Sequence, residues 1–164
     1  MKHWLIAILA VGIMGCSMLG GSDDEAAFHF PDEETESARE LMIGNWFGEK
    51  RLDDGSLQEW LVKRAADGTY LIEFRLTEAG GSIDTWSEVG IWGIRKPIYF
   101  TAVRGFVEGE RMFPINTNDH ALYDAYEVIV LDDDEFTYRS YTSGNRFTVK
   151  RVSEDFRLGS RQGA

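Results

Sequence analysis

Beyond Gly44 the sequence runs in short stretches of alternating apolar and polar residues, each closed by a turn signal, and this period of two restricts the fold more than any other feature. The first stretch opens on Gly44-Asn45-Trp46-Phe47 and ends in Asp53-Asp54-Gly55-Ser56, residues suited to a tight turn. Residues 57–65 form the second, closed by Ala66-Asp67-Gly68, and residues 69–77 the third. The third alternates cleanly, with Tyr70, Ile72, Phe74 and Leu76 on one face and Glu73, Arg75 and Thr77 on the other. Residues 83–95 read as a long fourth strand in which Gly90 and Gly93 mark a bulge or bend. The fifth covers 97–107, a long loop 108–120, the sixth 121–131, the seventh 135–142 and the eighth 145–152. Good helix formers over residues 37–43 predict a short helix before the first strand, with Leu41 packed on the domain.

Eight short strands joined by turns, without a strong helical period, predict an all-β chain. An eight-stranded antiparallel up-and-down barrel is the economical arrangement, because closure pairs every edge. A short helix followed by Gly44-Asn45-Trp46 at the start of the first strand resembles the lipocalin-like (calycin) barrels, including their bacterial lipoprotein members. The resemblance implies that Trp46 packs under the barrel floor and that an arginine at the end of the last strand lies across it. In a closed antiparallel ring the last strand adjoins the first, and Arg151 shares parity with Phe147 and Val149, so Arg151 is the expected partner.

The N-terminus reads as an address. Lys2 precedes an apolar run from Trp4 to Met14, too short to span a bilayer comfortably. Ile13-Met14-Gly15-Cys16 resembles the lipobox of bacterial lipoproteins, which implies cleavage after residue 15 and acylation of Cys16. Cys16 is the only cysteine, so the chain has no internal disulfide to form. Removal of residues 1–15 takes away only Lys2 and moves the net charge from −11 to −12. Ser17 after the cysteine resembles the default outer-membrane sorting signal, implying a lipid-anchored domain facing the periplasm. Residues 16–37 are acidic and poor in apolar side chains, and are expected to form a flexible tether. The barrel is assigned to 38–156 and a disordered tail to 157–164.

The charge balance argues against nucleic acid as a partner. His3, His29 and His120 are scattered, and no metal site, cofactor motif or nucleophile set emerges. The strand parities do predict a lumen. Tyr70, Phe74, Trp86, Tyr126 and Tyr138 are the candidate lining residues. Asp124 shares a face with Tyr126, Val128 and Val130 and is expected inside, with Arg104 and Arg139 as candidate partners, whereas Glu127 takes the other face. Arg111, Met112 and Phe113, in the long loop, are placed at the mouth as a lid. Three functions fit: a non-catalytic carrier of a small apolar or amphipathic ligand, a filled barrel that binds another envelope protein, and an enzyme using the inward carboxylate.

Overall fold

A computed structural model describes residues 32–159 of the chain. Helix α1 (Glu33–Met42) is followed by β1 (Gly44–Arg51), β2 (Leu57–Arg64), β3 (Thr69–Thr77), β4 (Ile83–Arg95), β5 (Ile98–Glu108), β6 (Arg111–Pro114), β7 (Tyr123–Leu131), β8 (Glu135–Ser140) and β9 (Arg146–Val152). A 3-10 turn (His120–Leu122) leads into β7. Neighbours pair antiparallel around the ring β1-β2-β3-β4-β5-β7-β8-β9, and Trp46 lies opposite Arg151 where β9 returns to β1. Every edge of the eight-strand ring is therefore paired. The short β6 stands outside this count, folding back on the upper part of β5.

The helix starts four residues before the predicted 37. Asp32 caps it, accepting from the Thr35 amide at 2.8 Å, and Glu33, Glu34 and Glu36 fill the first turn. Those carboxylates stabilise the positive end of the helix rather than belonging to the leash. Thr35, Ala38 and Met42 form its buried face, so Met42, not Leu41, plugs the barrel. Arg39 ties the helix to the floor turns through Ala66 O at 2.8 Å and lies 4.8 Å from the Trp92 ring centroid.

The core fills the floor half. Trp46, Met42, Phe136 and Val149 are fully buried there, with Trp92, Ile94 and Tyr99 nearly so. Two register shifts modify the alternation. Between Val89 and Gly90 of β4 the pairing jumps from Gly105 to Val103, leaving Arg104 as the extra residue. On β7 the shift falls between Val128 and Val130, so Leu131 packs on the core whereas Val130 is exposed, contrary to the expected inward series. Gly90 is required at its position, because a Cβ there would strike the Tyr70 ring and the Ala102 carbonyl.

The expected leader, Cys16 and most of the expected tether lie outside the described residues. At the other end, residues 157–159, expected as tail, lie against the outer wall, where Phe156 packs on Phe47 at 5.0 Å and a Cβ on Gly159 would meet the Arg75 guanidinium. Among the described residues no helix is long and apolar enough to cross a membrane.

Candidate functional site: the barrel lumen

The two ends of the barrel are built differently. At the floor, Trp46 donates its indole N–H to Met42 O at 2.9 Å and its ring is covered by the Arg151 guanidinium, 4.3 Å from the centroid. Arg151 donates to the carbonyls of Ile43 (2.9 Å), Leu41 and Asp133, joining the helix, the start of β1 and the β7–β8 turn. Gly44 has φ +109°, and a Cβ there would come within 3.1 Å of Arg151 Nη1. The glycine thus supplies both the left-handed turn into β1 and the room for the arginine. With the ring closed, one helix beneath it and an arginine across the first-strand tryptophan, the architecture is settled. The fold is a lipocalin-like barrel.

Likeness between this chain and other proteins is limited. No protein-family model matches it, and no curated protein matches its sequence. Among solved structures it is similar to a lipocalin-like protein from Bacteroides uniformis, at 11% identity over 68% of this chain and 99% of that one, with a TM-score of 0.40.

Above the floor the lumen divides into two compartments. The inner one, about 140 Å³, is lined by Arg64, Tyr70, Glu88, Tyr99, Asp124 and their neighbours. The outer one, about 220 Å³, is lined by Lys50, Gln58, Trp60 and Phe147 together with Ile72, Phe74, Tyr126 and Tyr138, which both compartments share. Tyr138 stacks on Phe136 (4.6 Å) and Phe147 (5.4 Å) and meets Tyr126 edge-on at 5.1 Å, a continuous aromatic wall from floor to mouth. At the mouth Phe74 and Trp86 stack at 4.8 Å, and Trp86 remains 36% exposed.

Of the residues singled out in the sequence, Tyr70, Phe74, Tyr126, Tyr138 and Asp124 line these compartments, and Trp86 guards their entrance. Arg104 does not join them. As the extra residue of the β5 bulge it turns outward and donates to the Tyr123 hydroxyl at 3.1 Å. Arg139 also lies outside, paired with Glu127. The expected lid is a hairpin instead: Arg111, Met112 and Phe113 belong to β6 and pair with Glu108, Val107 and Phe106 of β5. Phe106 lies opposite Glu88 and Phe113 opposite Phe106, so the hairpin carries both rings on the lumen-facing side, raising the wall.

Burial holds the hydroxyls of Tyr70, Tyr126 and Tyr138 above the ordinary tyrosine range, so all three remain protonated donors. Glu88 is raised by burial and by the charge of Asp124, against a hydrogen bond from Trp86 that lowers it.

Sequence reasoning missed Arg64 and Glu88. Both were readable by parity, Arg64 with Trp60 and Val62 and Glu88 with Trp86, although a charged residue in a strand ordinarily marks a solvated face. It also missed a groove of about 810 Å³ on the outer wall, floored by Phe47, Leu57 and the Glu59–Arg75 ion pair (2.8 Å) and flanked by Phe156. That groove exists because residues 153–159 double back along the wall, a long-range contact that alternation cannot reveal.

Proposed function

We propose that the chain is a membrane-anchored carrier: acylated Cys16 holds the barrel on the periplasm-facing side of the outer membrane, and the lumen binds a small amphipathic molecule without transforming it. The observation that carries this reading is the unfilled, aromatic-walled space above a sealed floor. Its compartments, about 220 and 140 Å³, are each below the roughly 300 Å³ of drug-sized sites, which favours a ligand of few heavy atoms. The lipobox-like Ile13-Met14-Gly15-Cys16 supports the anchor, since two or more acyl chains give stable attachment.

Titration with the neutral apolar fluorophore N-phenyl-1-naphthylamine tests the carrier reading. One saturable site is expected, lost in Ile72→Trp, which fills the wall shared by both compartments at a stability cost of about 1–3 kcal/mol. Undiminished binding in that variant places the site outside the lumen and contradicts the reading.

One observation favours a second reading, a docking module for an envelope protein. On the outer face of β4, β5 and β7, Ile91, Ile98, Phe100 and Tyr123 are between 37% and 47% exposed. Loss of partner capture in Phe100→Ser with unchanged fluorophore binding would support it.

A further inference from the structure

We propose that the lumen's ligand is a small zwitterion with an apolar tail, its anionic group held by Arg64 and its ammonium group by Glu88 and Asp124. This rests on the carrier reading above and names the chemistry of that same site.

Arg64 is the unusual residue of the interior. It is 3% exposed, and a guanidinium stays ionised even when buried. Its Nη2 donates to the Tyr99 hydroxyl at 2.9 Å, and the group lies 5.1 and 5.5 Å from the ring centroids of Tyr99 and Phe136. Among the described residues, its Nε and Nη1 have no hydrogen-bond acceptor and no carboxylate forms an ion pair with it. A buried cation with two idle donors stands ready for an anion, because leaving such donors unpaired costs more than a bond to them gains.

The same inner compartment is lined by two carboxylates, Glu88 and Asp124, and neither has an ion-pair partner among the described residues. The three charges surround one phenol. Arg64 lies opposite Tyr70, Tyr70 lies opposite Gly90, two residues from Glu88, and the Tyr70 hydroxyl feels Glu88, Asp124 and Arg64 together.

This juxtaposition discriminates between ligand classes. An anion seated on Arg64 alone meets two carboxylates in the same small space, and an ammonium seated on the carboxylates alone meets the guanidinium. A neutral ligand displaces solvent from all three charges and pairs none of them. A ligand carrying both signs satisfies each group, and its tail then continues past Ile72 and Phe74 into the outer compartment beside Trp60 and Phe147.

The test compares four probes built on one eight-carbon chain: octanol, octanoate, octylamine and 2-aminooctanoic acid. Calorimetric titration of the full chain is expected to rank 2-aminooctanoic acid at least about tenfold tighter than the other three, the difference one charge-assisted contact supplies. Arg64→Met should weaken 2-aminooctanoic acid and octanoate but spare octylamine. The double variant Glu88→Gln/Asp124→Asn should weaken 2-aminooctanoic acid and octylamine but spare octanoate, and it keeps the test informative if Arg64→Met misfolds. Equal affinity for octanol and 2-aminooctanoic acid, or a preference that survives both variants, overturns the zwitterion while leaving the carrier reading intact. Failure of all four probes while N-phenyl-1-naphthylamine still binds the lumen overturns the zwitterion alone; failure of all five overturns both.

Discussion

Of the arginines that lie against aromatic rings in this barrel, Arg151 and Arg64 sit at different levels and are partnered in opposite ways. Arg151 under the floor covers Trp46 and donates to three backbone carbonyls drawn from separate elements. Arg64 in the lumen covers Tyr99 and Phe136 and makes one hydrogen bond. The same side chain thus serves as a clamp where its donors are used up by the fold, and keeps two donors to spare in the lumen. The contrast extends to the ends themselves: the floor is sealed by Trp46, Met42 and Phe136, whereas Trp86, Phe106 and Phe113 are 36–44% exposed around the mouth.

The floor gives the largest expected effect. Trp46→Ala removes a fully buried indole and its bond to Met42, and should cost about 3–5 kcal/mol in urea denaturation. A loss below about 1 kcal/mol would dissolve the distinction between the ends. Arg151→Met comes next, at about 2–3 kcal/mol, from the lost ring contact and the orphaned carbonyls. Lysine should not restore it, since one ammonium cannot reproduce the planar fork. Arg64→Met sharpens the comparison by reversing the sign: exchanging an under-partnered buried charge for an apolar side chain of similar length should be neutral or stabilise by about 1 kcal/mol. A cost matching that of Arg151→Met would show Arg64 to be a second clamp.

The smallest effect is a pH dependence at Glu88. Burial raises its folded-state value above the usual 4.5, so the unfolded chain releases this proton first as pH rises. Its contribution is therefore most favourable below about pH 4.5 and is lost as pH climbs through the raised value. Thermal midpoints should show Glu88→Gln gaining on the parent at pH 7 and the gain vanishing near pH 4. A gain that does not change with pH would point to packing instead.

The ring was legible because alternation is a local signal: Tyr70, Ile72 and Phe74 had to share a face wherever the strand lay, and closure followed from strand count. Asp124 fell inside for the same reason. The misses lie where one extra residue resets the parity or where the partner is distant. Gly90 marks the bulge on the β4 side, as expected, but does not say which β5 residue is left over, so Arg104 was placed inward; Val130 was placed inward because the β7 shift lies within the unbroken apolar run 128–131. The β5–β6 hairpin was hidden because Glu108-Gly109-Glu110 reads equally as the start of a loop. Arg64 was passed over since a charge at a strand's end ordinarily marks the rim, and only the returning β5 and β8, with Tyr99 and Phe136, enclose it.

Amide hydrogen exchange, residue by residue, with and without 2-aminooctanoic acid, tests the division between a sealing end and a binding end most directly. The account predicts slow, ligand-insensitive exchange at Trp46, Leu61 and Val149, with faster exchange in Arg111–Pro114 and ligand protection at Ile72, Phe74 and Tyr126. Protection confined to the outer wall around Phe47 and Val152, or a floor that exchanges as fast as the β5–β6 hairpin, would contradict it.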